Sequence, residues 1–133
     1  MTDEAVRFTV SLTVAEGKLD AFEAVAQAMI VGSQHEAGTL VYEFCLSADR
    51  KRCRLVEKYI DADAVLSHLT GPVVQELVPK ALELATISGF EVYGNPGPKA
   101  AEILAGFGAE IFESWHGFSR GESSVSSGSS RVK

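Results

Sequence analysis

The sequence predicts an α+β domain: a four-stranded antiparallel sheet with helices on one face only. Three observations predict it. Four stretches alternate apolar and polar residues with the period of two that a strand imposes. Two longer stretches place their apolar residues three and four apart, as an amphipathic helix does. Their order is strand, helix, strand, strand, helix, strand, which is the split-βαβ, ferredoxin-like arrangement.

Each element follows from local chemistry. Phe8, Val10, Leu12 and Val14 alternate with Thr9, Ser11 and Thr13, giving a β-branched strand over about 6–14 with one apolar and one hydroxyl-bearing face. Glu16-Gly17 turns the chain. Over about 18–34, Phe22, Val25, Ala26, Met29 and Ile30 form one helical stripe. His35 sits where its positive form suits the helix C-terminus, and Gly38 is expected to be a left-handed cap. Residues 39–46 form a second strand, with Tyr42 and Phe44 on one face and Val41, Glu43 and Cys45 on the other. A polar turn at 47–51 leads to a third strand over 52–60, which carries Cys53, Leu55, Glu57 and Tyr59 on one face; the short connection makes the pair an antiparallel hairpin. Asp61 is an N-cap for a short helix through His68 and Leu69. Gly71-Pro72 interrupts that helix, and Pro79 is expected to kink or divide the stretch from Val74 to Leu82. A fourth strand covers 86–93.

The domain therefore spans 1–94. Residues 95–120 read as a C-terminal extension with a short helix over 99–106 and a short strand or arm over 109–115, packing on the domain or on a partner subunit. Residues 121–133 are mostly Ser and Gly, a composition that buries too little apolar surface to order itself, so they read as a flexible tail.

Composition excludes several classes. At 46% hydrophobic and 23% charged residues the chain is ordinary for a globular protein. A formal net charge of −6 argues against nucleic acid as a partner; the basic cluster Arg50-Lys51-Arg52 with Arg54 falls on a hairpin turn and reads as solvated. No apolar run approaches the ~20 residues of a membrane span, and the acidic start Met1-Thr2-Asp3-Glu4 lacks the order of a signal peptide, so the expected compartment is the cytoplasm. Cys45 and Cys53 lie on neighbouring strands without a CxxC pair, and read as reduced thiols rather than metal ligands. No metal or cofactor is expected, since GxGxxG, Walker and HExxH patterns are absent.

Two helices cover one sheet face and leave the other open. That open face is expected to carry large apolar side chains, and monomers rarely expose such patches. Face-to-face packing of two sheets in a two-fold homodimer buries them and leaves a cavity where the sheets diverge. Polar residues on that face, Thr9 and Ser11 among them, then become pocket residues. The apolar run Phe107, Ile111, Phe112, Trp115 and Phe118 is expected to cover the partner or close the pocket.

Three segments carry a resemblance. Glu36-Ala37-Gly38-Thr39-Leu40-Val41-Tyr42-Glu43 resembles the Glu-Pro-Gly-x-x-x-Tyr segment of the antibiotic biosynthesis monooxygenase family. Leu55-Val56-Glu57-Lys58-Tyr59 resembles its third-strand pattern, and Asp61-Ala62-Asp63-Ala64-Val65-Leu66-Ser67-His68 its following helix. The resemblance covers about 6–94. It implies a dimeric α/β barrel and a fold used for cofactor-independent oxygenation of phenols and quinols, for haem degradation and for other reactions. Ala37 stands where the family has Pro, and Val73 where many members have a second His, so only His68 carries over. The haem-degrading branch uses an Asn on the first strand; Thr9, Ser11 and Thr13 stand here instead, which disfavours that activity.

The resemblance places the face of Glu57 and Tyr59 toward the cleft and makes His68, Glu57 and Tyr59 the catalytic candidates. His68 titrates near neutral pH and suits deprotonation of a phenol or quinol; its other reading is a surface or helix-capping residue. Glu57 either orients His68 and binds a substrate hydroxyl or forms an ion pair with an Arg of the partner. Tyr59 stacks on ligand or packs an interface, and Tyr42 binds substrate or fills the core. Trp115 and His116 join an aromatic and a titratable group on a candidate lid. The function expected is cofactor-independent oxidation of a small aromatic or polyketide-like substrate by molecular oxygen. The rivals are an isomerase of a small carbonyl compound and a non-catalytic ligand-binding or stress-response dimer.

Overall fold

The computed structural model describes residues 4–120. The expected 121–133 tail lies outside the described residues. The elements run β1 (Val6–Val14), α1 (Leu19–Gln34), β2 (Thr39–Leu46), β3 (Arg52–Tyr59), α2 (Ala62–Thr70), a π-helical turn (Val73–Leu77), α3 (Val78–Ala81), β4 (Ala85–Tyr93), α4 (Pro98–Gly106) and β5 (Glu110–Phe112). The sheet order is β2-β3-β1-β4-β5. The first four strands are antiparallel, the ferredoxin-like order, and β5 adds a parallel pair at the β4 edge. Among the described residues no helix is long and apolar enough to cross a membrane.

Local sequence explains the joints. Asp61 accepts a hydrogen bond from the Ala64 N–H at 2.9 Å and starts α2. Gly71-Pro72 ends it, and the Gln75 side chain reaches back to donate to the Leu69 carbonyl at 2.9 Å, tying the π-helical turn to α2. The wider turn stops where Pro79, near the start of α3, has no N–H to give. Arg50 and Lys51 of the basic cluster lie in the β2–β3 turn as expected, and Arg52 and Arg54 continue into β3: Asp49 accepts from Ser47 and from the Lys51 N–H, and Arg50 takes a left-handed backbone at φ 63°.

The end of α1 corrects one expectation. Gly38 is not a left-handed cap. The helix unwinds through tight turns, with His35 and Glu36 N–H groups donating to the Gly32 and Ser33 carbonyls. Gly38 is needed for closeness: a Cβ there would lie 2.5 Å from the Cβ of Ala64, so glycine lets the entry to β2 run against α2.

The sheet faces correct another. Register pairs Phe8 with Glu57, Val10 with Leu55 and Leu12 with Cys53, so these side chains share the helix-covered face. The core lies there, with Phe22 and Met29 of α1, Leu69 of α2 and Leu104 of α4. The open face bears Thr9, Ser11 and Thr13 opposite Val56, Arg54 and Arg52, with Glu43 and Glu91 alongside. It carries these hydroxyls and charges alongside Val41, Val56, Tyr93 and Phe112, and is more polar than expected, because the period-two pattern sends most of the large apolar residues toward the helices.

Candidate active site

An apolar cavity lies between the sheet and the helices, inside a single chain. Its sheet wall includes Phe8, Val10, Leu55 and Phe90, and its helix wall includes Phe22, Met29, Leu69 and Val74. About 70 Å³ of it is open to the centres of water molecules. One end is polar. There β3 brings Glu57 and Tyr59 up from the sheet, α2 brings His68 down, and the turn after α1 brings Glu36 alongside.

The four side chains form a chain of contacts. His68 Nδ1 lies 2.7 Å from Glu36 Oε1, which also accepts from the Thr39 hydroxyl at 2.7 Å. A carboxylate on Nδ1 holds the proton there and leaves Nε2 with a lone pair. Nε2 faces Glu57 Oε1 at 3.7 Å, and the Tyr59 hydroxyl donates to that same oxygen at 2.5 Å. His68 is 3% exposed and Glu57 4%. Tyr59 and Tyr42 flank the imidazole with ring centroids 5.1 and 5.7 Å away.

Burial decides the charges. It pushes the Glu57 carboxyl up to about 8; the bond from Tyr59 opposes that rise and the nearby Glu36 adds to it. Burial also pulls His68 below the ordinary imidazole range, against the pull of Glu36. At neutral pH the site therefore holds a neutral acid beside a neutral base. Burial first, then Glu57, raises both Tyr59 and Tyr42, so both remain protonated donors. Ser33, buried behind Tyr42, has a hydroxyl that lacks a partner with hydrogen-bond geometry, although it is near enough to Tyr42 to ease its ionisation. Such a constellation can take a proton at Nε2 and donate a hydrogen bond from a carboxyl, with no metal required for either step.

Among the sequence candidates the structure brings His68, Glu57, Tyr59 and Tyr42 together, on the helix side of the sheet rather than in a cleft on its open face. Thr9 and Ser11 point to that open face, away from the cavity. Trp115 and His116 pack on each other at 4.7 Å between centroids, but Trp115 is 87% exposed and neither lines the cavity. Glu57 meets His68 and Tyr59 inside the chain. One residue escaped the sequence reading, Glu36; its only signal was its place in the Glu-x-Gly segment. Of the apolar run expected to cover a partner or close the pocket, Phe107 reaches the cavity, from the end of α4.

The sequence pattern described as antibiotic biosynthesis monooxygenase matches residues 5–80. No curated protein sequence matches the chain. Among solved structures, MupZ from Pseudomonas fluorescens is 30% identical, with 88% of this chain and 95% of that one covered and a TM-score of 0.75. Rv0793 from Mycobacterium tuberculosis is 23% identical over 71% of this chain and 97% of its own, at a TM-score of 0.62. SnoaB, a cofactor-independent oxygenase from Streptomyces nogalater, is 18% identical over 71% and 96%, also at 0.62. The last two likenesses are of fold.

Proposed function

The chain belongs to the antibiotic biosynthesis monooxygenase family, and we propose that it is a cofactor-independent monooxygenase of a small aromatic quinol or polyketide-like substrate, working as a homodimer. One observation carries this reading: a buried imidazole whose Nδ1 is held by Glu36 at 2.7 Å turns its free Nε2 into the polar end of an apolar cavity. His68 removes a proton from the bound phenol or activated methylene. Glu57, neutral, hydrogen-bonds the oxygen on which negative charge develops, and Tyr59 holds Glu57 in place. The electron-rich anion then reduces oxygen. Conversion of a methylene to a carbonyl consumes one O₂ and releases one water, so the balance needs no outside reductant. The likeness to a cofactor-independent oxygenase in fold supports the same reading.

A second reading rests on the acid beside the base. A base and a neutral carboxyl 3.7 Å apart also suit the enolisation of a carbonyl compound, hence an isomerase.

Oxygen uptake tests the first reading. Protein free of metal and flavin is mixed with a panel of quinols in air. Uptake above the spontaneous rate is expected, falling on the order of 10²-fold or more in His68→Ala. Uptake at background across the panel, unchanged by that substitution, sinks it. Turnover that persists without oxygen selects the isomerase instead.

A further inference from the structure

The cavity has two ends, and only one is chemical. From His68 a row of rings runs along the sheet: Tyr59 at 5.1 Å between centroids, then Phe8 at 5.1 Å, Phe90 at 5.6 Å and Phe107 at 6.3 Å. Phe107 is the far end of that row. Most of the lining is buried. It reaches the surface at Leu82, which is exposed, beside half-buried Val78, Ile87, Phe90 and Phe107. This apolar rim joins the end of α3, strand β4 and the end of α4. No Arg or Lys lines the cavity, and its titratable groups are Tyr42, Glu57 and His68.

Size follows from volume. About 70 Å³ of such space is roughly half the ~150 Å³ of an apolar cavity that takes up benzene, so one six-membered ring is the most that the cavity accepts. The ring that sets this limit at the rim comes from the extension, beyond the segment 5–80 that matches the family. It is held firmly. The Phe107 N–H donates to the Leu104 carbonyl at 3.0 Å, and Leu104 is fully buried against α2.

We propose that Phe107 determines specificity: the cavity takes an uncharged ligand moiety the size of one six-membered ring, its oxygen at His68 and Glu57, and the Phe107 ring turns fused rings away. This rests on the cavity being the substrate site, as proposed above, but not on the reaction performed there.

The test is therefore a binding measurement without turnover. The intact chain and its variants are titrated anaerobically with phenol and with 1-naphthol, by calorimetry and ligand-observed NMR. Wild type binds phenol saturably. In Phe107→Ala the affinity for 1-naphthol relative to phenol rises at least tenfold, and in Phe107→Leu it rises less. Phe112→Ala, on the same extension but outside the cavity lining, leaves the ratio unchanged. If Phe107→Ala does not fold, Phe107→Leu carries the test with an expected rise of at least threefold. A ratio unchanged in the folded Phe107 variants, or no saturable phenol binding by wild type, overturns the proposal. A shifted ratio with no oxygen uptake from any quinol leaves it standing and removes the oxygenase reading alone.

Discussion

Glu57 is the residue whose chemistry is most altered by the fold. A carboxyl that titrates near 4.5 in the open chain is raised to about 8 in the folded one. Between those values the native state holds a proton that the unfolded chain has released. Stability from this group is therefore full below about 4.5, declines as pH rises, and is lost above about 8. At ~1.36 kcal/mol per unit the whole swing is on the order of 5 kcal/mol. His68 acts the other way. Its lowered value means that its contribution is present above the ordinary imidazole range and declines as pH falls through the folded value. Glu57→Gln keeps a donor and removes the titration. In urea melts from pH 5 to 9, the loss of stability toward alkaline pH is expected to be much weaker in this variant than in wild type. In rate profiles, the alkaline limb near 8 is expected to disappear from kcat/KM. An alkaline limb that survives in Glu57→Gln assigns it to another group.

The joints between elements aim these side chains. Gly38 and Ala64 set the spacing between the start of β2 and α2, and α2 carries His68. Gly38→Ala places a methyl 2.5 Å from the Ala64 Cβ. It is expected to cost about 1–3 kcal/mol by overpacking, read from the urea midpoint, and to lower the activity that depends on His68. Adding Ala64→Gly should recover part of both. No recovery in the double variant means that the close approach is not the cause. This is also where sequence and structure part. Alternating Phe8, Val10 and Leu12 and the stripe of Phe22, Ala26 and Met29 made the strands and α1 legible, because their periods are local. His68, Glu57 and Tyr59 were legible through the resemblance. The side of the sheet they occupy was not, although it follows from pairing Glu57 with Phe8. The partnership of Glu36 with His68 spans 32 positions, and no periodicity carries that distance. Gly38 was misread because a glycine after a helix fits a cap and a close approach equally well.

At the scale of the molecule the open face has changed character. Thr9, Ser11, Arg54, Glu43 and Glu91 make a polar surface, so an interface there depends on paired charges and hydrogen bonds more than on apolar burial. Val56 and, at the β5 edge beside Tyr93, Phe112 are the exposed apolar groups on this face, and Trp115 and, 82% exposed, Phe118 follow in the extension. A homodimer is expected: light scattering should return twice the 14.2 kDa chain mass at micromolar concentration, and a clean monomer refutes it. Because the cavity is built within one chain, Thr9 and Ser11 are better placed to touch a partner than a ligand.

The two cysteines sit on adjacent strands yet face opposite ways. Cys53 is sealed in the core, where burial also raises its thiol and dulls it, whereas Cys45 is exposed on the polar face beside Arg54. The protein thus carries a single natural attachment point for a maleimide dye or spin label. It stands on the far side of the sheet from His68, so a probe fixed there watches that surface become covered while leaving the chemistry undisturbed.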